Sequence, residues 1–128
     1  MNLVLRILEG ELSILQLKPA EGIPSWLQFP ATPLVSLTQT ADEVSIICPS
    51  RAVPAGVKTE AGWRAMRVDG KLEFSMVGVL GAILTPLAKA GISILSISTF
   101  DTDYVLVRSE ALERVKVALR PHFQVLEP

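Results

Sequence analysis

Gly78-Val-Leu-Gly-Ala-Ile-Leu-Thr-Pro-Leu-Ala-Lys-Ala-Gly-Ile-Ser-Ile-Leu-Ser-Ile-Ser-Thr-Phe-Asp-Thr-Asp-Tyr-Val-Leu-Val107 decides the fold. From about Val77 to Ala90 the apolar residues Val79, Leu80, Ile83, Leu84, Leu87 and Ala88 recur at helical spacing. Gly91 follows, where a left-handed helix cap needs a residue without Cβ. Pro86 deletes one backbone hydrogen bond and predicts a kink in the last turn. Ile92 to Thr99 is short and rich in β-branched residues, so it reads as a strand. Ile92, Ile94, Ser96 and Ser98 share one of its faces; Ser93, Leu95, Ile97 and Thr99 share the other. Asp101 and Thr102 make a tight turn into a second strand, Tyr104 to Arg108, which completes a hairpin.

Upstream, Trp63 to Asp69 alternates as a strand does, and Gly70 and Lys71 mark a turn. Downstream, Ser109 is suited to capping a helix whose buried stripe is Leu112, Val115 and Leu119 and which ends before Pro121. His122 to Leu126 is a final strand. The order β-α-β-β-α-β predicts an α+β, ferredoxin-like module over residues 62–128.

Residues 1–61 read as a degenerate copy of that order. Leu3 to Leu8 and Leu12 to Leu17 are strands turning at Glu9 and Gly10, and Leu34 to Gln39 and Val44 to Ile47 form a hairpin through Ala41 and Asp42. Pro19, Gly22, Pro24 and Pro30 leave room for only a short helical turn near Ser25 to Phe29. Ser36-Leu37-Thr38-Gln39-Thr40 echoes Ser96-Ile97-Ser98-Thr99-Phe100, a weak internal repeat, and places the boundary between two tandem modules near Glu60 to Gly62.

Composition narrows the function. Of 128 residues, 49% are hydrophobic and only 5% aromatic, so an aliphatic core is expected. A net charge of −1 and a pI near 5.8 argue against a nucleic-acid partner, and Arg64, Arg67 and Lys71 read as the solvated face of a strand. The longest apolar run, Met76 to Leu84, is about half of what a bilayer span needs, and Met1 to Ser13 lacks the basic start and cleavage site of a signal peptide. The lone Cys48 excludes an internal disulfide and lies in an apolar run, so a cytoplasmic protein with a buried thiol is expected.

No catalytic constellation emerges. His122 is far in sequence from Cys48, and Ser75, Ser93, Ser96 and Ser98 have no evident base. Asp101 with Asp103, and Asp42 with Glu43, flank turns without the His or Cys that a metal site would add. The expectation is a non-enzyme without cofactor or metal.

Two segments carry binding chemistry. Ser75-Met76-Val77-Gly78-Val79-Leu80-Gly81 places a glycine at a loop opening into a helix, whose free amides and positive dipole end favour a carboxylate. Close helix–strand packing would use the same glycine. Ser98-Thr99-Phe100-Asp101-Thr102-Asp103 sets an aromatic among hydroxyls and acids, fit for an ammonium or guanidinium group. A turn capped by an aspartate would look alike. Both segments flank one helix, so a small zwitterion could be held between them.

The quoted stretch resembles the ACT domain, a small regulatory module that binds amino acids. It is most similar to the tandem-ACT arginine sensors of animal cells and to the ACT modules of aspartate kinases. Ser36 to Thr40 with Asp42-Glu43 matches the first-module hairpin of those sensors. The resemblance implies a ligand at an interface between ACT modules. Ser93 and Ile94 would then meet its carboxylate or amine, Thr99 and Phe100 would offer carbonyls, and Val77 to Leu80 would close the pocket. Asp103, beside Asp101, falls where the sensors place an acid that meets a basic side chain. The chain has fewer modules than the sensors, so a homodimer is expected to complete the interface. No enzyme is attached, so the regulated protein would be a separate one. The rival reading is an interaction or dimerisation module of the same fold without a ligand.

Overall fold

The computed structural model describes residues 3–70 and 77–128. In chain order its elements are β1 (Val4–Ile7), β2 (Leu12–Leu17), β3 (Ser36–Gln39), β4 (Val44–Pro49), β5 (Glu60–Val68), α1 (Val79–Lys89), β6 (Ile94–Ser98), β7 (Asp103–Arg108), α2 (Leu112–Leu119) and β8 (Gln124–Leu126). They fall into two compact units, a larger one of Met1–Glu9 with Arg64–Pro128 and a smaller one of Gly10–Trp63.

The larger unit is α+β, with the order β5-α1-β6-β7-α2-β8 that the sequence predicts. Among the described residues its strands lie in the order β8-β1-β5-β7-β6, which leaves β6 at an edge. Alternation sends Leu5, Ile7, Met66, Val68, Val105 and Val107 to one face of this sheet, where they pack with Ile83 and Leu87 of α1 and Val115 and Leu119 of α2. α1 runs through Pro86 to Lys89 and ends as a Schellman motif: Gly91 has φ 71°, its N–H donates to Ala88, and the Ile92 N–H donates to Leu87. Ile92 and Leu87 share the core, as that cap requires.

The sequence expectation and the structure part at β1. It pairs antiparallel with β5 and parallel with β8, and Leu5 and Ile7 join the larger core, so residues 1–9 do not belong with the N-terminal module drawn as 1–61. Nor does β1 pair with β2, as the turn at Glu9 and Gly10 suggests; each pairs with β5 instead. β1 has no pairing neighbour close in sequence, so no local signal assigns it. Ser109 does not cap α2 either. It opens a 3-10 turn, Ser109–Ala111, and its Oγ is buried without a hydrogen-bond partner.

The smaller unit is the degenerate one, with no α-helix among its residues. β4 lies between β3 and β2, and β2 also pairs with the first residues of β5. Leu15, Val44, Ile46 and Cys48 form a core with Leu27, which the segment between β2 and β3 supplies. The helical turn expected near Ser25 to Phe29 is a single turn in which the Leu27 N–H donates to Pro24; the 3-10 turn lies earlier, at Pro19–Glu21. Among the described residues no helix is long and apolar enough to cross a membrane.

Candidate functional site

The loop opening α1 and the turn between β6 and β7 lie at one end of the larger unit's sheet. Gly78 caps α1 with φ 78° and ψ 8°, a left-handed conformation in which an added Cβ would meet nothing within 4 Å among the described residues. The glycine therefore serves backbone conformation rather than close packing. Its carbonyl accepts from Ala82, closing the first helical turn, and the amides before that turn form the positive end of an 11-residue helix. Val77 is 86% exposed, whereas Val79 is 5% exposed and Leu80 packs on the core. The side chains of Val79 and Leu80 are thus committed to the core. What this segment presents outward is backbone and Val77; Ser75 and Met76 lie outside the described residues.

The hairpin turn is built by threonines. The Thr99 N–H donates to the Thr102 carbonyl at 2.8 Å, and the Thr99 hydroxyl donates to it at 3.1 Å. The buried Thr102 hydroxyl donates to the Val68 carbonyl at 2.6 Å, which latches the turn to the end of β5. Phe100 stands 80% exposed at the tip and Asp101 is exposed beside it. Asp103 is half-buried at the start of β7, where the Ser98 hydroxyl donates to its Oδ1 at 2.6 Å.

A second acid at this end is already engaged. Asp69 accepts from Arg6 at 3.1 Å and from Arg67 at 3.0 Å. Burial pushes its carboxyl up, but the hydrogen bonds from Arg67 and Arg6 outweigh this and hold it below the ordinary carboxylate range. The same bond to Asp69 raises the Arg67 guanidinium further. Arg64 donates to the Leu8 carbonyl. Arg6 and Arg64 are thus ties between the β1 and β5 segments, Arg67 pairs locally with Asp69, and Lys71 lies outside the described residues. Asp103, held by one hydroxyl, keeps capacity for a cationic ligand group.

Ser93 and Ile94 are not brought to this end. Ile94 opens β6 opposite Val107 and packs on the core, and Ser93 is exposed after the C-terminal cap of α1. The length of β6 separates them from Ser98 and Asp103 by about 13 Å. Within one chain, Gly78, Thr99, Phe100, Asp101 and Asp103 share an end of the sheet, and Ser93 and Ile94 lie at the other. The Thr102–Val68 latch and the Arg6–Asp69 arm of the clasp carry no local signal, because each joins residues more than 30 positions apart.

Among the described residues, no group of three or more His, Cys, Asp or Glu side chains is placed to hold a metal. Cys48 is buried in the smaller unit, and burial pushes its thiol up. His122 is exposed beside Phe123, with ring centroids 6.2 Å apart.

Comparison with known proteins agrees with this architecture. The ACT domain profile matches residues 58–121, and a separate N-terminal-domain profile matches residues 10–56. No curated protein sequence gives a significant match. A crystal structure of an Agrobacterium tumefaciens protein is similar over 100% of this chain and 95% of its own, with 34% identity and a TM-score of 0.91. A Vibrio cholerae protein described as of unknown function and a possible transport protein shares 19% identity over 94% of this chain and 89% of its own, with a TM-score of 0.74. The ligand-free regulatory subunit of aspartate kinase from Thermus thermophilus shares the fold at 13% identity, covering 88% of this chain and 92% of its own, with a TM-score of 0.57. With the profile covering half of its length, the chain belongs to the ACT domain family.

Proposed function

We propose that this protein is a non-catalytic regulatory protein that binds an amino acid at the α1–hairpin end of its larger unit and acts on a separate partner. The observation that carries the reading is the Thr102–Val68 latch, which fixes an acidic, hydroxyl-rich turn at the sheet end from which Gly78 opens α1. The ligand carboxylate meets the amides at the start of α1, and its ammonium or basic side chain meets Asp103. A similar fold serving as a regulatory subunit in aspartate kinase supports the assignment.

In this reading Ser93 and Ile94 enter from a second copy. β6 is an edge strand, and antiparallel pairing of two such edges sets the start of each strand beside the end of its partner. A homodimer would thus restore to one site the residues that a single chain separates.

The test is a thermal-shift screen of the purified protein against the proteinogenic amino acids. A ligand at 100 times its Kd adds ~2.7 kcal/mol of stability, several degrees for a chain of this size. One or a few related amino acids should stabilise. A flat response across the set would sink the sensor reading and favour an interaction module. Asp103→Ala should weaken a basic amino acid far more than a neutral one; equal losses would reduce Asp103 to a turn residue.

A further inference from the structure

The smaller unit holds a cleft of about 420 Å³, within the size range of small-molecule sites. Leu27, Val35, Pro49 and Ala52 supply the apolar part of its lining, beside polar Gln28 and Thr32, and Leu27 and Val35 pack in the unit's core. Its one charged lining residue is Arg51. The Arg51 Nη2 donates to the Thr32 carbonyl at 3.0 Å, and no acid pairs with this guanidinium among the described residues. Gly10, at φ 99°, lies against it: a Cβ there would sit 3.9 Å from Nη1 and 3.6 Å from the Pro33 ring. The guanidinium is thus positioned before any ligand arrives, with donors left over.

An exposed cation without a counter-ion among the described residues, at the wall of a cleft with both polar and apolar lining, suits an anion with an apolar body. A planar carboxylate matches the guanidinium fork. A ligand ammonium would find no acid among the lining residues and would meet the like charge of Arg51. We infer that this cleft is a ligand site for a small aliphatic carboxylate lacking an ammonium group, such as a branched 2-oxo acid. Arg51 binds the carboxylate, and Leu27, Val35 and Ala52 receive the chain. The site lies wholly within the smaller unit and does not depend on the amino-acid reading above.

The full-length chain, labelled with nitrogen-15, is titrated with 4-methyl-2-oxopentanoate, its neutral counterpart 4-methylpentanamide, and L-leucine. Expected are saturable amide shifts at residues 27–35 and 49–52 with the oxo acid, and binding weaker by ~10-fold or more with the other two, the loss a charge-assisted bond implies. Arg51→Gln should weaken the oxo acid by a similar factor while leaving its other amide signals unchanged. Ala52→Leu, which fills the cleft without touching charge, should weaken it as well, and it decides the matter should Arg51→Gln fold poorly. No saturation at millimolar oxo acid, equal binding of the amide or of L-leucine, or unchanged affinity in the folded variants would each overturn the proposal.

Discussion

Thr102 does more than its place in a short turn suggests. Its hydroxyl is buried and donates to Val68, so Thr102→Val keeps the shape and removes a buried hydrogen bond. The expected loss is about 1–3 kcal/mol, read from urea denaturation. A loss below ~0.5 kcal/mol would mean that the turn is held by Thr99 alone. Gly78 poses the opposite case. No described residue crowds it, and its left-handed conformation opposes a side chain. Gly78→Ala should cost about 1–2 kcal/mol of stability, and a β-branched valine should cost more. Both sites were visible in the sequence as residue types, a glycine before a helix and a threonine in a turn. Their partners were not, because φ at Gly78 and the Val68 contact are set by tertiary structure.

At the scale of elements, legibility followed the range of the contacts. α1, β6, β7 and α2 were readable because periodicity, a terminal glycine and a polar turn are local signals. β1 was readable as a strand but not in its place, since its pairing with β5 and β8 spans some sixty residues and more. The family likeness groups Ser93 and Ile94 with Asp103, whereas within one chain β6 sets them apart. Edge strand β6 makes that distinction testable. Its Ser96 side chain is exposed, and a lysine there is a natural guard against edge pairing. Ser96→Lys should leave the fold intact and shift sedimentation velocity from dimer to monomer. If the native chain is itself a monomer at tens of micromolar, β6 pairs with no second copy.

Across the whole molecule, the Asp69 clasp ties stability to pH. The folded carboxyl lies below its unfolded value, so its stabilisation is present above the ordinary carboxylate range and is lost as pH falls through the lowered folded value. Asp69→Asn should lower the denaturation midpoint at neutral pH and make the acid limb shallower. Identical limbs in both proteins would assign the acid response to other groups. The β-α-β-β-α-β order of the larger unit was legible, and the prolines and glycine after β2 foretold that the smaller unit holds no full helix. The cleft beside Arg51 was not legible, since the segment from Leu27 to Val35 shows only breakers in sequence and acquires its walls when Leu27 and Val35 enter the core.

The placement of β1 also bears on how the chain is made. The ribosome delivers β1 more than a hundred residues before one of its two neighbours, β8, which ends at Leu126. At about 5–20 residues per second, β1 waits on the order of ten seconds for that partner. Meanwhile Gly10–Trp63 has emerged and can close its own core. During the wait Leu5 and Ile7 are apolar and unsatisfied, while Arg6 between them and Glu9 just beyond are the kind of charged residues that discourage premature strand association. Nascent-chain handling, rather than final stability, is where the split layout of the larger unit should be felt first.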